Sequence, residues 1–500
     1  MSKKKNLKKN YVFNLLYQLL LLVVPLIVTP YISRVLSADS IGQYSFSFSI
    51  ITYFTLFASL GFQTYGQREI AKSFDKETQS KKFYEIILCR LFSVGIALAI
   101  NIFLCITSVY GQYSTLLLIM SINILAIAFD IAFLYQGNEE FGMIVILNAI
   151  TKILGTICIF IFVKTKSDLW IYTLINSLMI FLGYLLLWFF SKKLLAPVPI
   201  KSLHPFSHLK GTIALFIPTI ATSIYTVLDK TLIGLLVPGS YTVIENGIEV
   251  IKKYSDLENG FYEQSEKIIK LAMTIITCIG TVMIPRNSKE FAEGNLAIVN
   301  RNIQLSSRFV WLIGFPMVLG FIVIAPNFVP WFYGDGYDKC ITLISIFSPL
   351  ILIIGFSNVF GIQYLLPKGE DKKYAICLVI GAITNLILNI FFIRFWWSIG
   401  AAIASIIAEL VVTFSMLFII RKEINILEIL ISSIKYLISS VLMFISLYVI
   451  SKLFTSSIIN TIIIVMIGIL IYGIMLLILR DSLVMEYLNK FKSKFIKSNK

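Results

Sequence analysis

Seven ionisable residues fall inside or at the edge of long apolar runs: Arg34, Arg90, Asp130, Lys152, Asp229, Lys230 and Glu409. Placing a charge at the centre of a bilayer costs at least about 2.5–3.5 kcal/mol, so each such residue calls for a partner or a task. Arg34 lies nine residues after Pro25, and Asp229 and Lys230 lie eleven and twelve after Pro218, which predicts cations at similar depth on two matched helices. Arginine offers phosphate a bidentate fork and lysine a mobile point charge. The alternatives are that Arg34 snorkels to the headgroups and that Lys230 is neutralised by Asp229. Lys152 follows Asn148 by one helical turn, deep in its run, and either lines a polar cavity or pairs with an acid such as Asp130 or Glu409. Arg90 reads as a headgroup anchor. Asp130, Asp229 and Glu409 either carry a coupling ion or pair with the bases. Asn385 and Asn389 share a helical face and could meet sugar hydroxyls or a neighbouring helix.

Other chemistry is missing. The sequence holds no Walker motif, GxSxG or HExxH. His204 and His208 stand four apart beside Pro205 with no further ligand nearby, which argues against a metal. The six cysteines are scattered through mostly apolar runs, so neither a disulfide nor a metal site is expected.

The elements that must position these groups follow from composition. Of 500 residues, 58% are hydrophobic and 14% charged, and the mean hydropathy is +0.86. Globular proteins carry about 25% charged residues, so a soluble enzyme is excluded and an all-α integral membrane protein is indicated. Fourteen apolar runs long enough to span are expected near 13–33, 42–65, 85–107, 114–135, 142–163, 170–190, 212–237, 262–284, 309–332, 341–365, 375–393, 399–420, 436–454 and 458–479. With both termini in the cytoplasm, the inner loops and tails hold about 30 of the 43 Lys and Arg, as the positive-inside rule requires. The same rule accounts for the net charge of +16 without nucleic acid. The first run is too long for a signal peptide and reads as an uncleaved span.

The chain also repeats itself. Pro25, Thr29 and Gly42-Gln43-Tyr44 match Pro218, Thr222 and Gly260-Phe261-Tyr262, which implies two parallel six-helix lobes with substrate expected between them. The expected domains are residues 1–200 (N-lobe), 201–423 (C-lobe), 424–480 (a linker helix lying at the inner surface, then spans thirteen and fourteen) and 481–500 (a basic amphipathic tail). The second lobe carries a polar, outer insert near 238–258, read as a surface insertion in preference to a lid. In the tail, Leu483, Val484, Tyr487, Leu488, Phe491 and Phe495 oppose Lys490, Lys494 and Lys497, as in a helix lying on an anionic leaflet. Trp396 and Trp397 read as an interfacial belt.

Several segments together resemble the oligosaccharide flippase or polysaccharide transporter family of the multidrug/oligosaccharidyl-lipid/polysaccharide (MOP) exporter superfamily. They are VPLIVTPYISRVLSADSIGQYSFSFSI, YTVLDKTLIGLL, ENGFYEQSEKIIK, VMIPR and GAITNLILN, set among fourteen spans. The resemblance implies a bacterial inner-membrane protein that is not an enzyme. It would move an undecaprenyl-diphosphate-linked oligosaccharide to the outer leaflet by alternating access, for cell-surface polysaccharide synthesis. Polysaccharide polymerase and other assembly proteins are the implied partners beside the lipid bilayer. No cofactor is implied, and a proton or sodium gradient is the energy source available to the buried acids. Two other readings stand beside it. A cation-coupled multidrug exporter would share the fold but would want acids in its cavity, and a membrane glycosyltransferase or polymerase would have to use the insert's acids Glu245, Glu249, Asp256 and Glu258.

Overall fold

The backbone of residues 2–245 and 248–486 is described by the computed structural model. The side chains of 2–17, 214, 215, 217–225, 245, 248 and 281 are outside that description, so the contacts of Pro218 and Thr222 and most of the basic tail, from Tyr487 on, are not addressed. Among the described residues the chain is helical apart from one β-hairpin.

The helices are α1 (Ser2–Ser59), α2 (Phe62–Ala71), α3 (Lys76–Ile106), α4 (Ser114–Phe129), α5 (Ala132–Gly137), α6 (Phe141–Phe162), α7 (Leu169–Ser191) and α8 (Leu209–Leu236). After strands β1 (Ser240–Glu245) and β2 (Ile248–Lys253) come α9 (Tyr254–Ala292), α10 (Leu296–Tyr333), α11 (Asp338–Phe347), α12 (Leu350–Ser357), α13 (Asp371–Ile420), α14 (Ile426–Ser451) and α15 (Ile458–Ile478). A π-helical stretch, Asn358–Leu365, continues α12. Eleven helical segments among the described residues are long and apolar enough to cross a membrane. Two of them are pairs of helices meeting at a sharp break, at Ser37 (φ 67°) in α1 and at Trp397 (φ 55°) in α13. With α8, each of the fourteen expected spans falls on helix. Helix is the form a single chain segment must take in lipid, because it bonds its own backbone groups. Each break is a single residue with positive φ inside otherwise continuous helix.

The chain divides into two compact units, Met1–Gly260 and Phe261–Lys500. In the first, Leu36, Ile51, Phe83, Leu117, Met120 and Phe133 are fully or almost fully buried, while Val23, Ile27, Ile150 and Ile157 present an apolar surface suited to lipid. The two glycines paired by the sequence repeat meet each other here. A Cβ on Gly42 would lie 1.6 Å from the Asp256 carbonyl oxygen and 2.8 Å from the Gly260 nitrogen, and one on Gly260 would lie 1.9 Å from the Ala38 carbonyl oxygen. Only hydrogen fits at this backbone crossing. Gly42→Ala is therefore expected to cost about 3 kcal/mol or more, the upper end for overpacking, because backbone cannot yield as a side chain can. The loss would be read as a lowered thermal transition and aggregation on size-exclusion chromatography of the purified variant.

The insert is a hairpin with register Ser240↔Lys253 through Glu245↔Ile248. Its base is tied down: Lys252 pairs with Asp39 at 2.6 Å, and the Lys253 ammonium lies 5.0 Å over the Tyr113 ring. Helix α9 then starts at Tyr254, eight residues before the expected span, so Asp256 and Glu258 belong to a helix and are buried.

In the second unit, α14 is one continuous helix capped by Asn425, whose side chain accepts the Glu428 N–H. The segment expected to lie along the inner surface is thus the first turns of a spanning helix. Its apolar residues Leu427, Leu430, Ile431 and Ile434 are exposed around it, and a spanning helix satisfies the whole of its backbone. Trp397 forms the break in α13 and lies 5.3 Å from the Lys339 ammonium.

Glu423, just beyond α13, accepts from Lys368 Nζ at 2.6 Å and from the Tyr364 hydroxyl at 2.6 Å. Burial raises its carboxyl pKa, but the Lys368 ammonium and the Tyr364 hydroxyl outweigh burial and hold it below its ordinary value of 4.5. A depressed folded-state pKa means the pair's contribution is fully present above that ordinary value and is lost as pH falls through the lowered one. Glu423→Gln should lower stability at pH 7 by no more than about 1 kcal/mol, given the pair's exposure, and flatten the acid limb of the stability profile. Thermal unfolding of both proteins across the acid range checks this.

Candidate functional site

Lys152 sits midway along α6 and its side chain is exposed. The exposed apolar residues of α6, Ile146, Ile150, Ile153, Leu154, Ile157 and Ile161, define its lipid-facing side. Lys152 projects about 150° around the helix from the middle of that face, at 100° per residue. It shares a stripe with Asn148 and Thr156, one turn to either side, next to the packing face of Leu147, Thr151, Gly155 and Ile159. An exposed cation between two uncharged polar residues, turned away from the lipid side, is suited to water or to an anion and not to acyl chains.

Arg34 is also exposed, three residues before the Ser37 break. One turn earlier Tyr31 donates to the Val163 carbonyl at 2.6 Å and packs on Phe160 at 4.6 Å between ring centroids, which sets this end of α1 beside the C-terminal end of α6. Lys152 is eleven residues from Val163, roughly 17 Å along the helix. Arg34 and Lys152 therefore stand at two levels along these helices.

Lys230 is half-buried, and the neighbouring Asp229 is buried. Thr231 bonds Ser49 at 2.9 Å and Tyr53 at 3.0 Å, and the Asn259 amide donates to the Lys230 carbonyl at 2.8 Å. Ser49 lies twelve residues beyond the Ser37 break, which sets Lys230 beside the second arm of α1.

Asp130 occupies the break between α4 and α5, where its carboxylate accepts the Ala132 N–H at 3.0 Å. Arg90 fills the same break. It is 2% exposed, donates to the carbonyls of Asp130 and Ile127, and lies 5.0 Å from the Phe133 ring and 5.5 Å from that of Phe62. The headgroup-anchor reading of Arg90 is overturned: a broken helix leaves carbonyls that a guanidinium can satisfy in the interior. Asn385 and Asn389 are fully buried within the second unit, with the Asn385 amide 3.5 Å from the Ser405 hydroxyl. Glu409, on α13, is half-buried and acts electrostatically on the Tyr374 hydroxyl.

Sequence reasoning placed Asp256 on the insert and missed its bonds on α9, where it accepts from the Tyr113 hydroxyl at 2.6 Å and from the Gln112 amide at 2.9 Å. It also missed Glu85, which holds His208 Nε2 at 2.8 Å while the Tyr65 hydroxyl meets His208 Nδ1 at 2.9 Å. The recurrence of Asp256, Asn259, Glu263 and Lys267 at helical spacing was the available signal for the early start of α9. A buried, bonded Asp256 cannot serve as a loop-borne catalytic acid, which removes support from the glycosyltransferase reading.

Eleven helical segments among the described residues that are long and apolar enough to cross a membrane, two of them sharply broken, with an interior arginine and an exposed lysine on a polar stripe, define a polytopic helical membrane protein. The chain belongs to the polysaccharide biosynthesis protein family, whose model, Polysacc_synt, matches residues 7–291. It is 25% identical over 432 residues to a putative O-antigen transporter of Escherichia coli (strain K12), covering 84% of this chain and 98% of that protein. Over 145 residues, 28% of this chain and 26% of the other, it is 23% identical to lipid II flippase MurJ of Bacillus subtilis (strain 168). Among solved structures it is similar to lipid II flippase MurJ in an inward closed conformation, with TM-score 0.74 and 18% identity over 95% of this chain and 99% of that one. It also resembles an inward-facing multidrug resistance MATE family transporter of the MOP superfamily, with TM-score 0.62 and 13% identity over 81% and 94%. These likenesses show a fold shared with both solved transporters.

Proposed function

We propose that the protein flips an undecaprenyl-diphosphate-linked oligosaccharide from the cytoplasmic to the outer leaflet of a bacterial inner membrane, by alternating access, with both termini in the cytoplasm. The observation that carries this reading is Lys152, an exposed mid-membrane cation on a polar stripe turned away from the lipid face. A diphosphate needs cations along its path, and Lys152, Lys230 and Arg34 are those proposed. The similarity to an O-antigen transporter along nearly its whole length supports a saccharide cargo. Asp229 and Glu409 are the acids proposed to couple an ion gradient; Asp130 is engaged in the α4–α5 break. The protein acts without chemical turnover of its cargo, upstream of a polymerase in surface polysaccharide synthesis. Depleting it in its own cells should remove surface polymer and leave the lipid-linked saccharide on the cytoplasmic leaflet. Unchanged polymer, with altered efflux of organic cations, would favour a drug exporter of the same fold.

A further inference from the structure

The β1–β2 hairpin joins α8 to α9, and its last two residues hold two different parts of the chain before α8. Lys252 reaches the Asp39 carboxylate at 2.6 Å, and the two side chains are only 12% and 10% exposed. Asp39 stands two residues past the Ser37 break of α1, and the Ser37 hydroxyl donates to its other oxygen at 2.6 Å. Successive strand residues point to opposite faces. Lys253 accordingly turns the other way, onto the Tyr113 ring at the start of α4. Tyr113 in turn donates to Asp256 in the first turn of α9. The base of the hairpin is closed by the Tyr254 N–H, which donates to the Gly239 carbonyl at 3.2 Å, and by the Tyr241 and Tyr254 rings, 5.1 Å apart. Farther along the strands Thr242, Ile244, Glu249 and Ile251 are exposed, so the grip is concentrated at the base.

An insertion merely tolerated at a surface needs no such pair, and a buried ion pair is poor glue. The cost of desolvating both charges offsets most of their attraction, so holding the pair together and releasing it into water nearly balance. Near balance is what a joint that opens and closes in every cycle requires. The contacts join residues of the first half of the sequence repeat, Asp39, Gln112 and Tyr113, to residues of the second, Lys252, Lys253 and Asp256. Those halves must separate on the outer side if cargo leaves between them. We propose that the hairpin is a latch on the outward exit, held shut by Lys252 and Asp39, and that the pair parts each time cargo leaves. The latch rests on the transport reading and the orientation given above.

The test combines Asp39→Cys with Lys252→Cys in the full chain and joins the two thiols with a short bis-methanethiosulfonate linker. The joined protein should lose flipping down to the protein-free rate, and reductant should restore it, which neither misfolding nor a static tie would produce. A second readout needs no cargo. In an Asn148→Cys background, Lys252→Gln should raise labelling by an impermeant maleimide added outside intact cells several-fold, and exchanging the charges, Asp39→Lys with Lys252→Glu, should return it to the level of the background. Flipping that survives the cross-link, failure of the paired positions to cross-link, or labelling indifferent to Lys252→Gln would overturn the proposal. A wild type that moves no cargo would overturn the transport reading instead, and the labelling would still decide the latch.

Discussion

Lys152→Gln should reduce translocation of a polyprenyl-diphosphate saccharide by about 100-fold while the purified protein remains folded. Removing one partner of a desolvated charge pair costs about 2–5 kcal/mol, and 1.4 kcal/mol is tenfold. The side chain is exposed on α6 and carries no ion pair among the described residues, so its loss strands no acid and should leave thermal stability near the wild-type value. Lys152→Arg keeps the charge and should keep much of the rate. Asn148→Ala and Thr156→Val, one turn to either side, should cost only a few-fold, as hydrogen bonds to an uncharged part of the cargo would. Initial rates in proteoliposomes check the series. Wild-type flipping by Lys152→Gln would remove the main support for a cationic path.

Arg90→Leu should have the opposite signature, with folding lost first. The guanidinium is 2% exposed and serves the carbonyls at the α4–α5 break, so its removal leaves buried acceptors and the Asp130 carboxylate without their cation. Breaking such an arrangement costs about 3–5 kcal/mol. Asp130→Asn separates structure from coupling. Arg90 grips the Asp130 carbonyl, which the substitution keeps, and an asparagine oxygen can still accept the Ala132 N–H. That variant leaves the buried Arg90 without its neighbouring carboxylate and should lose stability, though less than Arg90→Leu, while the folded fraction transports at close to the wild-type rate. Expression yield and thermal unfolding read the first variant, and flipping with and without a pH gradient reads the second.

The spans were legible in the sequence because lipid imposes a minimum apolar length, and fourteen runs met it. Their exact partition was not. The breaks at Ser37 and Trp397 are single residues inside continuous helix and leave no loop to read. The start of α9 was hidden because its first turns are polar yet buried against Gly42, Gln112 and Tyr113. The glycines of the repeat were visible as matched letters, and the structure adds the reason, since the two backbones cross there without room for a methyl group. Individual charges were harder. Lys152 and Arg90 both looked like isolated cations in apolar runs, and only the break at Asp130 separates the structural one from the exposed one. Asn385 and Asn389 admitted two roles because one helical face serves sugar or protein equally well in sequence.

The most direct test reconstitutes the purified protein with a fluorescent undecaprenyl-diphosphate oligosaccharide and follows its exposure to a membrane-impermeant quencher. Protein-dependent movement between leaflets, abolished by Lys152→Gln and retained by Lys152→Arg, is the predicted result. No movement of an authentic repeat unit by a folded sample, or movement indifferent to the charge at position 152, would contradict it.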